Sequence, residues 1–363
     1  MNLLTRLDRH IGRTVFLSTL LVFAILLALF AFFSLIDALK DFGKGHFGLY
    51  EIVKYVTLSL PGWLYALFPV AALLGAIFGL AWLAVGSELT AMRAAGISLA
   101  RIVGAVMKIG LVFVLLGILI GETVVPVSET WAQRGRAEAL EIGLHRERTG
   151  LWLRDGDDFV NIGEVLPDQS LLRVNIYRFD QASQLRRHTS AARAHFVSAE
   201  AGVSEPAWRL EAVRYSWIDN DSVRTRELGN DLWRSGVTPD VVEVFAVRPE
   251  ALSTWHLFRY IQHLRRNRQE TGRYELAFWN KALLPVATAV MVLLAVPFVF
   301  QQVRGGGMGR RIMLGIMLGF AFIVLNQAFG HLALLSGLPP FLAATLPIIL
   351  FLLLALQLFR RVA

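Results

Sequence analysis

Few residues in this chain have the types and spacing that perform chemistry. Among its 363 residues there is no cysteine, which excludes disulfides, thiolate metal sites and a cysteine nucleophile. The sequence also lacks a Gly-x-x-x-x-Gly-Lys-Ser/Thr phosphate loop, a His-Glu-x-x-His zinc motif and a Gly-x-Ser-x-Gly turn. Asp155, Asp157 and Asp158 match only part of a calcium loop, so a hairpin turn is the better interpretation. We therefore expect no catalysis, no ATP hydrolysis by this chain, and no cofactor or bound metal.

A short polar segment at residues 87–98 has the features of a helix with a defined start and end. Ser87 is a good N-cap, Glu88 falls where the helix dipole favours an anion, and Gly96 is a typical stop. Such a helix would expose four side chains to the cytoplasm: Glu88, Leu89, Met92 and Arg93. Two interpretations remain open, an interfacial helix or a docking helix of the kind through which ABC permeases receive force from an ATPase.

Lysine is rare in this chain and is concentrated in one segment. Three of the five lysines fall within residues 37–54, namely Lys40, Lys44 and Lys54. Acidic residues of the same segment balance their charge formally, namely Asp37, Asp41 and Glu51. Lys108 lies near the start of an apolar stretch, close enough to its end for the ammonium to snorkel. The cluster of three lysines needs a separate explanation.

The composition indicates a membrane protein. Hydrophobic residues make up 55% of the chain and charged residues 18%, whereas soluble domains carry about 25% charged residues. Residues 124–274 contain 21 arginines and 21 acidic residues, so the net charge of +8 belongs to the rest of the chain. Because this excess flanks apolar stretches, where positive charge sets topology, a nucleic-acid binder with a basic domain is excluded.

Apolar stretches predict six membrane-spanning helices. The stretches cover residues 15–36, 55–87, 102–121, 282–303 and 312–359. Pro61 and Pro69 interrupt the second stretch, and neighbouring helices can accommodate them. The last stretch is too long for one helix, since about 20 residues cross a bilayer, and Ser336, Gly337 and two prolines divide it. Three of the spans also contain Gly-x-x-x-Gly pairs that favour close helix packing, at Gly75/Gly79, Gly117/Gly121 and Gly315/Gly319.

The basic residues predict the orientation of these spans. If the spans alternate, ten arginines outside the insert fall on one side: Arg6, Arg9, Arg13, Arg93, Arg101, Arg304, Arg310, Arg311, Arg360 and Arg361. The opposite side carries the turn at residues 331–340, without lysine or arginine, and the large polar insert. Both termini are therefore predicted to be cytoplasmic and the insert extracytoplasmic. The lysines of residues 37–54 lie on the outer side, as an exception to the rule.

The polar insert at residues 131–247 reads as a β domain. Short alternating segments are separated by turn signals at residues 155–157, 166–168, 205–206 and 219–221. Regularly spaced short strands favour a β-sandwich or a jellyroll. After the insert, an apolar stripe of Trp255, Phe258, Ile261 and Leu264 precedes several arginines. This stripe predicts either a helix at the membrane surface or an ordinary amphipathic connector.

Seven short motifs occur in a specific order along nearly the whole chain. They are LDRHIG at 7–12, FPVAALLGA at 68–76, GSEL at 86–89, GE at 121–122 with Pro126, GLW at 150–152, GRY at 272–274 and GLPP at 337–340. In this order, with six spans and a β insert between the third and fourth, the chain resembles the LptF/LptG permeases of the lipopolysaccharide exporter, and the LptG branch more closely.

The resemblance implies a fold and a set of partners. The fold would be an α-helical membrane protein with six transmembrane helices and an inserted all-β periplasmic jellyroll. Its parts would be residues 1–126 with a coupling helix at 87–98, the jellyroll at 127–250, and a connecting helix with three spans at 251–363. The partners implied are an LptF-like sibling permease, an LptB-like ATPase dimer, an LptC-like single-span protein and an LptA-like bridge, which together move lipopolysaccharide from the inner membrane.

The resemblance also suggests site residues. Lipid A is an anionic, multi-acyl lipid, so its site should combine cations at outer-leaflet height with an apolar wall. The expected cations are Lys40, Lys44, Lys54, Arg134 and Arg136, with Lys281 near the outer end of span four. The expected wall residues are Phe30, Phe33, Phe68 and Phe320. Ser34 and Asp41 stand where relatives can carry lysine.

The segment 87–98 would then be the coupling helix that docks into the ATPase. Its expected contacts are Ser87, Glu88, Leu89, Met92 and Arg93, with Glu88 as the main ionic anchor and Arg93 as a second contact. Three other classes stay as alternatives. A lipoprotein-release or mechanotransmitting permease usually has four spans; a membrane-anchored scaffold would bind periplasmic proteins by β-strand addition; an intramembrane enzyme would need a catalytic constellation that the sequence lacks.

Overall fold

The chain folds into two compact units. The computed structural model describes residues 6–140, 151–165, 170–180, 184–197, 207–219, 222–235, 237–239, 249–301 and 308–362. The first unit comprises Met1–Ala38, Val56–Glu129 and Gly272–Ala363, and the second Leu39–Tyr55 and Thr130–Thr271. Gly150, Arg304, Asn220, Asp221 and the predicted turns at 166–168 and 205–206 lie outside the described residues. The domain limits expected at residues 126 and 250 stay a prediction.

The helical elements lie before and after the sheet along the chain. Before the sheet they are α1 Arg6–Leu39, α2 Leu49–Ala66, α3 Phe68–Val85, α4 Glu88–Ala94, α5 Leu99–Leu119, a π-helical turn Ile120–Val124 and α6 Val125–Ala139. After it come a 3₁₀ turn Pro249–Ala251, α7 Thr254–Arg266, α8 Gly272–Gln301, α9 Met308–Ser336 and α10 Pro340–Val362.

Six helices of the described residues are long and apolar enough to cross a membrane. They are Arg6–Leu39, Phe68–Val85, Leu99–Arg136, Gly272–Phe300, Gly309–Ser336 and Pro340–Arg361. The prediction of six spans with an inserted β domain is confirmed. The limits of the second span are corrected. The predicted stretch is divided at Leu67 into two helices, and the span begins at Phe68. Pro69 explains the break: proline lacks an N–H group and clashes with the preceding turn, so it starts α3 instead of continuing α2.

The third span is longer than residues 102–121. α5 passes through the π-helical turn into α6, so that the helical path extends to Ala139 before the first strand begins at Leu151. A π-helical turn inserts one residue into the α-helical hydrogen-bond pattern and is frequent at functional sites. The sequence pattern did not reveal it, since apolar periodicity is almost unchanged by a single extra residue.

The Gly75/Gly79 pair brings two helix backbones of the first unit close together, as predicted. A Cβ atom at Gly75 would overlap the Cα and Oγ1 atoms of Thr19 on α1. A Cβ atom at Gly79 would lie 2.9 Å from the Cα atom of Val15. On the other side of α3, a Cβ atom at Gly319 would lie 2.7 Å from Cγ1 of Val70. α3 is thus the central helix, and its span is 72% buried.

The second unit contains a six-stranded antiparallel sheet in which each strand pairs with the next. The strands are β1 Leu151–Asp155, β2 Asp158–Val165, β3 Leu171–Phe179, β4 Leu185–Val197, β5 Ala207–Ile218 and β6 Val223–Arg234. Asp155 pairs with Asp158, and Gly156 between them has φ +61°. The hairpin turn at these aspartates is confirmed. Asp158 accepts two hydrogen bonds of 2.6 Å from Arg178, which occupy both of its carboxylate oxygens.

One face of the sheet and one face of α7 are buried. Trp208 is fully buried and donates a 2.6 Å hydrogen bond to the carbonyl of Val237. On α7 the buried stripe is Leu257, Tyr260, Ile261 and Leu264. Of the predicted stripe, Ile261 and Leu264 are buried, whereas Trp255 and Phe258 are exposed. A repeat of three residues drifts around a helix with 3.6 residues per turn, so four such positions cannot share one face.

Candidate functional site

Two of the predicted cations lie on one carboxylate. Nζ of Lys44 donates a 2.7 Å hydrogen bond to Oδ1 of Asp41, and Nη2 of Arg136 donates one of 2.6 Å to Oδ2. Asp41 thus bridges the polar turn after α1 and the helix α6 within the second unit. The hydrogen bond from Lys44, followed in effect by the one from Arg136, lowers the pKa of the Asp41 carboxyl. Its stabilisation is therefore present at neutral pH and is lost only in acid, as the pH falls through the lowered pKa.

Arg136 is held by a second group. Its Nη1 donates a 3.3 Å hydrogen bond to the hydroxyl of Tyr55, and its Cζ lies 4.9 Å from the centre of the Tyr55 ring. A guanidinium bound on both Nη atoms and packed on a ring has little rotational freedom. The structure therefore presents Arg136 in a defined orientation, with its side chain 24% exposed.

The backbone of the polar turn fixes Asp41 in place. The amide of His46 donates a 2.7 Å hydrogen bond to the carbonyl of Ala139, at the end of α6. A Cβ atom at Gly45 would lie 2.8 Å from the same carbonyl oxygen, so the turn approaches α6 closely. Phe47 is 1% exposed and anchors the segment. The position of Asp41 beside Arg136 therefore results from packing that the linear sequence does not display.

The remaining predicted cations lie on the same elements. Nζ of Lys54 is 3.8 Å from Oε2 of Glu51, one helical turn earlier on α2. Lys40 is exposed at the end of α1, and Arg134 is half-buried on α6. The second unit thus contains all five expected cations, together with two carboxylates that the sequence showed only as charge balance.

The four predicted wall residues do not form one surface. Phe68 is a core residue, 2% exposed, and packs edge-on against Phe23 at 4.9 Å between ring centres. Its expected part in a lipid-facing wall is therefore corrected. Phe30 packs on Trp63 at 4.9 Å, whereas Phe33 and Phe320 are exposed. The sequence could not separate core from wall aromatics, because both kinds occur in apolar helices.

Lys281, predicted as a cation near the outer end of span four, is buried in the first unit and has a structural contact there. Its side chain is buried, and Nζ donates a 2.8 Å hydrogen bond to the carbonyl of Gly121 in the π-helical turn. Oε1 of Glu122 lies 3.8 Å away, and the ring centre of Tyr65 lies 5.4 Å away. In this turn the amide of Val125 donates to the carbonyl of Ile120, and Pro126 has no N–H group, so the lysine acts as donor to the carbonyl of Gly121. Lys281 is thus corrected from a surface cation to a group that stabilises this turn.

The predicted coupling segment forms a helix of seven residues, α4. Its first residue, Glu88, is in contact with α1, because Nε2 of His10 lies 2.7 Å from Oε2 of Glu88. Ser87 occupies the predicted N-cap position, but the predicted capping hydrogen bond from its side chain is wrong. Ser87 has φ +60° and its side chain makes no capping hydrogen bond. A left-handed conformation costs a non-glycine residue about 1–2 kcal/mol, so the turn before Glu88 is strained.

The faces of α4 differ from the prediction. Leu89 and Met92, expected to face the cytoplasm, are buried in the core of the first unit. Arg93 is exposed and Glu88 is half-buried, so the polar half of the expected set remains accessible. The stop at Gly96 is confirmed, with φ +83° and an Ile97 amide that donates to the Met92 carbonyl at 3.1 Å. A helix of two turns is held in place by its apolar side chains, and in α4 the buried ones are Leu89 and Met92.

A second contact ties the start of α1 to α5. Asp8 is buried, with Nζ of Lys108 at 2.7 Å and Nε of Arg101 at 3.9 Å. Lys108, which was expected to snorkel, pairs with this carboxylate while its side chain remains 45% exposed. Sequence reasoning missed Asp8 and His10 as contact residues. Both lie in the LDRHIG motif, and the signal was a carboxylate followed two residues later by an imidazole at the start of an apolar helix.

The chain is similar to known proteins over nearly its whole length. Residues 9–361 match the family described as lipopolysaccharide export system permease LptF/LptG. The chain is 38% identical over 357 residues to the lipopolysaccharide export system permease protein LptG of Escherichia coli strain K12, with 98% of each chain covered. It is 35% identical over 360 residues to the protein of the same name from Haemophilus influenzae, with 99% of each covered.

Proposed function

The chain belongs to the LptF/LptG family of lipopolysaccharide export permeases, and we propose that it is the LptG-type subunit of such an exporter. One observation carries the proposal: similarity extends over 98% of the chain and so includes both the six apolar helices and the β insert. The subunit would extract lipopolysaccharide from the outer leaflet of the inner membrane and pass it toward a periplasmic bridge.

The proposed orientation places both termini and α4 in the cytoplasm and the sheet in the periplasm. Because the chain has no cysteine, single cysteines report topology without background labelling. We expect Val223→Cys, exposed on β6, to react with a membrane-impermeant maleimide in spheroplasts. Thr90→Cys, exposed on α4, should react only after permeabilisation. The reverse pattern would contradict the orientation and, with it, the assignment of the two sites to opposite sides.

Energy for the transport would come from partner subunits. The sequence has no phosphate-binding loop, and α4 presents Glu88 and Arg93 at the predicted cytoplasmic side. We propose that α4 docks on an LptB-like ATPase dimer. The other proposed partners are an LptF-like sibling permease, an LptC-like single-span protein and an LptA-like bridge.

The decisive experiment is purification of the complex from native membranes. Transport predicts an ATPase pair and a sibling permease in the complex, with ATP hydrolysis stimulated by lipopolysaccharide. A membrane-anchored scaffold that binds by β-strand addition predicts periplasmic proteins without a nucleotide-binding subunit. A complex without an ATPase would refute the transport proposal and favour the scaffold.

We further propose that the cations of the second unit bind the phosphates of lipid A. Arg136 is the best supported of them, because Tyr55 orients its guanidinium for an incoming oxyanion. Lys40, Lys44, Lys54 and Arg134 would add positive charge around it. Phe30, Phe33 and Phe320 would contribute to the apolar wall, whereas Phe68 is excluded by its burial.

Lys40→Glu is expected to weaken lipid capture without preventing assembly. One unit charge about 4 Å from a phosphate contributes about 1 kcal/mol even in water, and the substitution changes the charge of this side chain by two units. We therefore expect photocrosslinking of lipopolysaccharide to fall by about tenfold, and by less in Lys40→Gln. Unchanged crosslinking in Lys40→Glu, at equal recovery of the complex, would remove Lys40 from the site.

A further inference from the structure

The cationic cluster already holds an anion of its own. Each oxygen of Asp41 accepts one charge-assisted hydrogen bond, from Lys44 at 2.7 Å and from Arg136 at 2.6 Å. Both donors belong to the set proposed to bind lipid phosphate. Two oxygens on one trigonal carbon present nearly the same spacing to these donors as two oxygens of a phosphate group. The carboxylate therefore uses donors that an incoming phosphate would need.

The contact is built into the local structure. The bond between His46 and the end of α6 and the buried Phe47 hold the polar turn in place. Asp41 is 19% exposed and Arg136 24%, so the pair is screened less than a surface ion pair but can still be reached by a ligand. The hydrogen bond from Arg136 to Tyr55 uses Nη1, whereas the hydrogen bond to Asp41 uses Nη2.

We infer that Asp41 is an internal counter-ion that competes with the phosphate of the transported lipid for Arg136 and Lys44, and so sets how tightly this permease holds its substrate. The inference rests on the proposed lipid-binding function of the cluster. A transporter must release what it binds, and a tethered competitor speeds release by occupying the donors as the ligand leaves. The number of phosphates on the lipid then affects how readily it displaces Asp41.

The test measures binding of bisphosphorylated lipid A to the purified complex. Asp41→Asn keeps the size of the side chain and one acceptor oxygen but removes the charge. We expect it to tighten binding by about fivefold, mainly through slower dissociation. The gain should be smaller for monophosphorylated lipid A. Unchanged or weaker binding in Asp41→Asn would overturn the inference, because it would mean that Asp41 only orients Arg136.

Two further variants separate local competition from net charge. Glu51→Gln makes the same charge change in the same segment, at a carboxylate 3.8 Å from Lys54. We expect it to change affinity by less than about twofold, and an effect equal to that of Asp41→Asn would overturn the inference. In a background that carries both Arg136→Gln and Lys44→Gln, Asp41→Asn should have little effect, since both donors for which Asp41 competes are gone.

Inorganic phosphate distinguishes the two possible sources of the anion. We expect it to compete with lipid A only weakly in the wild-type complex. A gain of affinity in Asp41→Asn for inorganic phosphate, without a gain for lipid A, would overturn the assignment to a lipid. Failure of the wild-type complex to bind lipid A would instead refute the proposed function. A wild-type complex that binds lipid A with the same affinity as Asp41→Asn refutes only the role of Asp41.

Discussion

Glu88→Lys is expected to reduce lipopolysaccharide export by at least about tenfold in a reconstituted complex. Glu88 begins α4, where the helix dipole favours an anion, and its side chain is half-buried beside the strained Ser87. Loss of one partner from a desolvated charge pair costs about 2–5 kcal/mol, and reversal adds repulsion. The measurement is export at equal ATPase content, with ATP hydrolysis recorded in parallel. Export at the normal rate would refute the docking role of Glu88.

Two controls identify which contact of Glu88 matters. Glu88→Gln retains an acceptor for His10 but loses the charge, so an intermediate loss of export is expected. His10→Leu removes the partner within the chain and leaves Glu88 intact. If the anchor binds the ATPase, His10→Leu should retain most of the export activity. A loss as large as that of Glu88→Lys would assign the effect to the bond between α1 and α4.

Gly75→Val is expected to prevent assembly of the helical unit or to lower its stability by about 3 kcal/mol or more. A Cβ atom at this position would overlap backbone and side-chain atoms of Thr19, which is fully buried. Backbone atoms cannot rotate away, so α1 and α3 would have to separate along a shared interface. Thermal unfolding of the detergent-solubilised complex and its yield provide the measurement.

Gly104→Val is the matched control for this substitution. Gly104 also lies within a membrane span, and a Cβ atom there would meet nothing within 4 Å. Both variants carry the same cost of β-branching in a helix, so their difference isolates the contact with Thr19. Equal stability of the two variants would show that α1 and α3 do not pack as described.

The architecture was largely predictable because its signals are local. Five apolar stretches are long enough to cross a bilayer, the last of them twice, and the alternation in the insert has the period of β-strands. The Gly75/Gly79 pair predicted close helix packing, but only the structure identified α1 as the helix that it packs against. The interruption at Leu67 was missed because a proline in an apolar stretch can either start a helix or bend one, and the sequence does not show which of the two Pro69 does.

The site was predictable in part. Sequence and resemblance identified Lys44 and Arg136 as cations, but not that Asp41 binds both of them. Lys281 was predicted as a phosphate-binding cation, whereas it is buried and donates a hydrogen bond to the carbonyl of Gly121. The partners of these groups lie far away along the chain. A side-chain type states what a residue can bind, whereas the partner depends on which segments meet.

The sequence by itself determined the class of the molecule, the number of spans and the family, since hydropathy, strand period and motif order are properties of the linear chain. The tertiary structure decided which face of α4 is buried, which aromatics form the core, and that Asp41 lies between Lys44 and Arg136. These outcomes depend on distances of a few ångströms between segments remote in sequence, and hydrogen bonds and ion pairs form only at such distances.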